Sequence, residues 1–196
     1  MPGADTDRMQ TPGLINDRKS MFELLSQHLP SGSFEPVQAA DGMPTIYVPR
    51  EQLVETLRAL RDAPELRYAF LADITAVDYI PREPRFEVLY LLASLGTAGF
   101  GATAKRLRVK VRVPGADPSL PTIISLWPAA NWAERELWDM CGIRVDGHPD
   151  LRRILCADDW EGFALRKDYV FPREYHGIPG SVELDWQQQP DYPKGH

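Results

Sequence analysis

The chain has 196 residues, with 22 Lys and Arg against 28 Asp and Glu, a net charge of -6 at neutral pH and 43% hydrophobic residues. That composition suits one folded domain with extensions, and the acidic balance argues against general nucleic-acid binding. No apolar run approaches the roughly 20 residues needed to span a bilayer, and two cysteines without a CxxC spacing, Cys141 and Cys156, disfavour an iron-sulfur ligand set and a disulfide framework alike, so both are expected to be reduced, partly buried thiols.

Residues 1–15 are Pro, Gly and polar, which predicts a flexible start. The opening Met1-Pro2-Gly3-Ala4-Asp5 has neither the basic start nor the apolar stretch of a secretory signal, so the expectation is a protein that stays in the cytoplasm. Phe22, Leu25 and Leu29 then mark one helical face, with Ser20 and Glu23 in capping-box relation and Pro30 as the stop. Strands are predicted at Phe34 to Ala40 and Thr45 to Val48, joined by the turn dipeptide Asp41-Gly42. A second helix is predicted from Arg50 to Asp62, where Leu53, Leu57 and Leu60 share a face and Pro64 blocks continuation.

The centre reads as sheet. Tyr68 to Tyr79 is rich in β-branched and aromatic residues. Phe86, Val88, Tyr90 and Leu92 alternate with a second apolar series, which predicts a strand covered on both faces. After a loop holding Gly96, Gly99 and Gly101, the residues Leu107, Val109, Val111 and Val113 alternate with Arg106, Arg108, Lys110 and Arg112, placing a row of positive charge on one side of the sheet. That row is either a solvated face or a contact for an acidic subunit. A last strand is predicted at Thr122 to Leu126. With short connections, this order predicts an α+β domain over residues 16–141, a mostly antiparallel sheet with helices packed on one face.

The densest chemistry lies at 131–155, NWAERELWDMCGIRVDGHPDLRRIL. Asn131 and Glu134 have capping-box spacing, Ala133, Leu137, Met140 and Cys141 form one apolar stripe, Arg135 and Asp139 stand one turn apart as a candidate ion pair, and Gly142 supplies a left-handed stop. Beyond it, Gly147 to Leu155 has no period of 2 or 3.6, which predicts an extended irregular arm over 142–180, with a polar tail at 181–196. From Ala157 to Gly180, aromatic residues are interleaved with Arg166, Lys167, Asp168, Arg173 and Glu174, a mixture suited to folding back on the domain or to docking along another subunit.

Glu134-Arg135-Glu136, Asp139-Met140, Gly142-Ile143, the run Gly147 to Leu155 and Leu165-Arg166-Lys167-Asp168-Tyr169 closely resemble the 30 kDa (C-type) subunit of respiratory NADH:quinone oxidoreductase (complex I). The likeness extends upstream through Leu71 to Tyr79, Arg85 to Val88 and Leu107 to Val113, so it covers residues 70–180. Two departures are Cys141, where the family usually carries a bulky residue, and Phe163-Ala164, where many members read His-Pro. The resemblance implies a cofactor-free, non-catalytic subunit of the hydrophilic part of the complex, peripheral on the cytoplasmic side of the inner membrane. It also implies a 49 kDa (D-type) partner subunit, with FMN and iron-sulfur clusters held in partner subunits.

On this reading the candidate interface residues are Glu134, Arg135, Glu136, Asp139, His148, Asp150, Arg152, Arg153, Arg166, Lys167 and Asp168. The acids are expected to form a structural network with Arg135, Arg152 and Arg153, since Glu134 and Glu136 diverge on a helix and only His148 lies near enough to join a ligand set. His148, between Gly147 and Pro149, is expected to hold a turn. Two rivals remain. One is the equivalent subunit of a membrane-bound hydrogenase or ferredoxin-fed quinone reductase, and the other is a free-standing metal-dependent hydrolase using Asp139 and His148.

Overall fold

Three long neighbouring strands form the centre of this computed structural model, which describes residues 21–95, 105–172 and 174–179. The expected flexible start, Ser20, the glycine loop, Arg173 and the polar tail lie outside the described residues. In chain order, the elements begin with helix α1 (21–28), strands β1 (Glu35–Val37) and β2 (Thr45–Tyr47), and a 3-10 turn (Arg50–Gln52) running into α2 (Leu53–Asp62). Then come β3 (Phe70–Asp78), β4 (Phe86–Ser94), β5 (Lys105–Val113), β6 (Ser119–Pro121), α3 (Ala130–Glu136) with a π-helical last turn (Leu137–Cys141), β7 (Arg144–Asp146), β8 (Glu174–Tyr175) and β9 (Ile178–Pro179).

The main sheet has the order β1-β2-β5-β4-β3, with every pair antiparallel except β2 and β5. One face is formed by Ile74, Phe86, Val88, Tyr90, Leu92, Leu107, Val109, Val111 and Val113, in register across the strands. These side chains join Leu25, Leu29, Leu53, Leu57, Leu60 and Leu137 in a single buried cluster, so the helices lie on that face alone. The predicted α+β class is therefore observed. At the β3 edge, the Trp127 indole donates to the Ala69 carbonyl at 3.0 Å, tying the connection before α3 to the start of that strand.

The predicted strand at 122–126 is not formed. Pairing there is taken by Ser119–Pro121, which lies parallel to Arg144–Asp146, while 124–126 makes a turn closed by Leu126 N–H on the Ile123 carbonyl at 2.9 Å. The capping box at Asn131 is also absent. The helix starts two residues earlier than that cap would place it, at Ala130, with no side-chain cap, and Glu134 turns away from its own helix to serve residues 122 and 123. The predicted apolar stripe does form, with Leu137 and Cys141 buried and Ala133 and Met140 packed against the core. Ile143 belongs to the buried cluster and Val145 is buried, so the chain leaves regular structure only after Asp146.

Candidate docking site

Two buried carboxylates govern how the irregular arm lies on the domain. The first, Asp139, sits in the π turn and is 0% exposed. Its Oδ1 accepts from Arg153 Nη1 at 2.7 Å, and its Oδ2 accepts the successive N–H groups of Ile154, Leu155 and Cys156 at 2.9, 2.7 and 2.9 Å. Burial pushes this carboxyl up, but the N–H groups of Cys156 and Ile154, the Arg153 guanidinium and the Leu155 N–H outweigh it and hold the pKa at about 2. Arg153 also reaches along the arm, its Nη2 donating to the carbonyls of Trp160 and Gly162 at 2.6 and 3.1 Å.

The candidate Arg135–Asp139 pair does not form. A π turn takes more residues per revolution than an α turn, so positions four apart no longer stack. Arg135 instead donates from Nε and Nη2 to the carbonyls of Arg152 and Arg153 at 3.1 and 2.7 Å, with its guanidinium 5.4 Å from the exposed Trp132 ring. Arg135 and Asp139 thus grip the same short stretch of the arm, one by its carbonyls and the other by its amides.

The second anchor is Asp78, at the end of β3. Arg85 Nε and Nη2 donate to it at 3.0 and 2.7 Å, and the N–H groups of Lys167 and Ile80 at 3.0 and 3.1 Å. Against the upward push of burial, the Arg85 guanidinium and the Lys167 and Ile80 N–H groups hold Asp78 at about 2. Arg85 also forks onto Asp168 at 3.0 and 2.6 Å, so one guanidinium joins the strand to the arm. Between the anchors, Arg166 donates to the carbonyls of Cys141 and Gly142 at 2.6 and 3.1 Å and lies 4.5 Å from the Phe163 ring centre.

Gly142 closes the π turn at φ +70, and a Cβ there would lie 2.5 Å from the Phe163 ring and collide with Arg166. Gly142→Ala therefore combines a left-handed penalty with a clash, and its expected cost is about 1–3 kcal/mol. Equilibrium denaturation checks this, and an unchanged midpoint would show that the arm shifts freely at that point.

Glu134 is 2% exposed and braces the turn that replaces the predicted strand. It accepts from the Thr122 hydroxyl and the Ile123 N–H, both at 2.6 Å, and burial pushes its carboxyl up despite those bonds. His148 holds a local turn, its Nδ1 accepting the Asp150 N–H at 3.0 Å while Nε2 lies 3.3 Å from the Asn131 carbonyl. That pattern fits the neutral tautomer protonated on Nε2. The Cys141 thiol is pushed up to about 11 by burial.

The eleven nominated residues therefore divide. Glu134, Arg135 and Asp139 are buried, and their polar groups are used within the chain as internal braces. His148, Arg153 and Arg166 are half-buried, whereas Glu136, Asp150, Arg152, Lys167 and Asp168 are exposed. Asp78, Arg85 and Thr122 were missed. Asp78 could have been found, because it falls on the core phase of β3, opposite Phe86, where a carboxylate needs a buried partner. Outward from these braces stand Leu155, Leu165, Val170, Phe171 and Ile178, all more than half exposed, beside the ring cluster of Trp160, Tyr169 and Tyr175.

Residues 46–175 match the family model for the respiratory-chain NADH dehydrogenase 30 Kd subunit, a span running from β2 through both anchors to β8. The chain belongs to this 30 Kd subunit family. It is 47% identical over 138 residues to the NADH-quinone oxidoreductase C 2 subunit of Rhizobium meliloti (strain 1021), covering 70% of this chain and 72% of that one. It is 43% identical over 164 residues to the NADH-quinone oxidoreductase C/D subunit of Methylococcus capsulatus (strain ATCC 33009 / NCIMB 11132 / Bath), covering 80% of this chain and 27% of that one.

Among solved structures, a trypsin-resistant fragment (1-134) of Nqo5 is similar at a TM-score of 0.56 and 35% identity, covering 68% of this chain and 98% of the fragment. A chain of an archaeal membrane-bound sulfane sulfur reductase shares the fold at a TM-score of 0.65 and 19% identity, over 91% of this chain and 96% of that one. Family membership thus rests on the same stretch that carries the Asp139 and Asp78 anchors. Among the described residues no helix is long and apolar enough to cross a membrane, and no group of three or more His, Cys, Asp or Glu residues is placed to hold a metal ion.

Proposed function

We propose that this chain is a cofactor-free, non-catalytic scaffold in the hydrophilic part of a proton-translocating NADH:quinone oxidoreductase, peripheral on the cytoplasmic side of the inner membrane. Its work is architectural: it keeps partner subunits carrying FMN and iron-sulfur clusters in register with those that bind quinone. The observation that carries this reading is the arm itself. Its buried charges are consumed in fixing its own course, while its outer side presents Leu155, Leu165, Val170 and Phe171 between exposed Asp150, Arg152, Lys167 and Asp168. Apolar anchors within a charged rim are the make-up of a protein interface. The 49 kDa (D-type) subunit is the favoured neighbour, supported by the relative that bears the joint C/D name.

A free-standing hydrolase draws no support from the geometry. It would need Asp139 and His148 to pass protons between them, yet both oxygens of Asp139 and both ring nitrogens of His148 are engaged elsewhere. The equivalent subunit of another membrane-bound redox complex is the second reading, favoured by the fold shared with the sulfane sulfur reductase chain. Relatives named for NADH-quinone oxidoreductase, at 43–47% identity, favour the first.

Affinity purification of the tagged chain from detergent-solubilised membranes tests both readings. Recovery of a large flavin and iron-sulfur assembly with inhibitor-sensitive NADH:quinone reduction is the expected result. A hydrogenase or ferredoxin-linked assembly would favour the second reading, and a lone monomer would sink both. Within that assay, the neighbouring arginines should behave differently. Arg152, whose side chain is 69% exposed and pairs with exposed Asp150, can be changed to Ala without altering the melting temperature, yet the change should reduce the yield of assembled complex. Arg153→Ala should lower both, because it leaves Asp139 buried without its cation. Equal melting temperatures for the two variants would refute this division of roles.

A further inference from the structure

The side of the main sheet opposite the helices carries a second pattern. Strand register places its side chains in rows: Phe70, Ala93 and Arg106; Asp73, Leu91, Arg108 and Thr45; Thr75, Leu89, Lys110 and Tyr47; Val77, Glu87 and Arg112. The β3–β4 half is largely apolar and open, with Phe70 49% and Val77 36% exposed and Leu89 and Leu91 half-buried. The β5 column is cationic, but three of its four charges are already met. Arg108 pairs with Asp41 at 2.6 Å, Lys110 with Glu87 at 3.0 Å and Arg112 with Glu35 at 3.5 Å. Arg106 is different. It is exposed, has no acidic partner among the described residues, and stands in the row of Phe70, at the same end of the sheet as the exposed Leu95.

On a chain whose net charge is -6, a cation with no acidic partner among the described residues stands here in the same row as the half-exposed Phe70 ring. From this face we infer that the open side of the sheet is a second docking surface, remote in sequence from the arm, which receives an acidic segment of another subunit of the same complex. The inference rests on the scaffold reading and adds to it a second contact, so that the chain would bridge two partner segments. Charge complementarity sets the chemistry of the occupant: a carboxylate for Arg106, and an apolar side chain for the exposed Phe70 ring. The size of the face favours a segment over a second copy. Strand spacing and rise give it roughly 500 Å², short of the roughly 800 Å² per partner of a stable globular pair. An anionic lipid surface is disfavoured because most of the basic column is already neutralised by the chain's own acids.

The test uses the purified complex. A photo-crosslinking residue, p-benzoyl-phenylalanine, replaces Phe70 in one tagged strain and Leu165, on the arm, in another; both side chains are about half exposed, so folding should be undisturbed. The expected result is an adduct from position 70 to an acidic peptide of another subunit, distinct from the peptide captured at 165. Arg106→Glu should lower the position-70 adduct about tenfold and leave the position-165 adduct unchanged. A position-165 adduct without one at 70, an adduct at 70 to a second copy or to lipid alone, or indifference to the charge reversal would each overturn the inference while leaving the scaffold reading intact. Failure to recover any complex would overturn the scaffold reading, and this inference with it.

Discussion

Replacing Asp139 with Ala should cost about 3–5 kcal/mol of folding stability and release the arm, because the change strands one buried guanidinium and three backbone N–H groups together. The carboxylate is 0% exposed, so neither water nor salt screens the loss. Arg153 would keep its carbonyl acceptors at Trp160 and Gly162 but lose its charge partner, and the amides of 154–156 would lose the acceptor they share. Denaturant unfolding would measure the stability. Hydrogen exchange would locate the loss, with protection falling first at Ile154, Leu155 and Cys156. Retained protection at those amides would mean that the arm is held by its aromatic cluster rather than by Asp139.

Acid should produce a related loss without mutation. Asp139 and Asp78 both fall from an ordinary 3.8 to about 2 in the folded chain, so each contributes stability that is present above the unfolded value and disappears as pH falls from about 4 towards 2. A depression of that size corresponds to roughly 2 kcal/mol for each carboxylate, and both side chains are almost wholly buried. Glu134 has the opposite sign. Its carboxyl is raised by burial, so its contribution is complete below the unfolded value of 4.5 and is lost as pH rises through the folded one. Melting temperature should therefore climb as a neutral solution is made mildly acidic, and then fall steeply below about pH 4. Glu134→Gln should flatten the first limb alone. A melting temperature that stays level from pH 4 to pH 2 would contradict the two-anchor account.

Much of the sheet could be read in advance because alternation is a local signal. Leu107 to Val113 could not be other than a strand with one buried face, and Asp41-Gly42 joined the predicted hairpin. The helix stripe at Leu137 and Cys141 was legible for the same reason. What failed was decided by partners distant in sequence. Thr122 and Ile123 gave up their predicted strand because Glu134, eleven or twelve residues later, takes the hydroxyl of one and the amide of the other. The Arg135–Asp139 pair followed from an α-helical spacing that the π turn removes, and no residue type marks such a turn. The arm's anchors were half legible. Arg153 and Arg166 were nominated from the sequence, but most of what they bind is backbone carbonyl, and a carbonyl has no letter in a sequence.

The single parallel pairing in the main sheet bears on the order in which a ribosome delivers the parts. Strands β3, β4 and β5 form a meander whose neighbours leave the exit tunnel in succession, whereas Thr45 of β2 must find Arg108 of β5. That partner is synthesised about 60 residues later, a delay of several seconds at 5–20 residues per second. Until then the hairpin of β1 and β2 has no sheet to join, and two short strands alone are at best marginally stable. During translation, the first ordered unit of this protein should therefore be its middle, with the beginning of the chain waiting to be added.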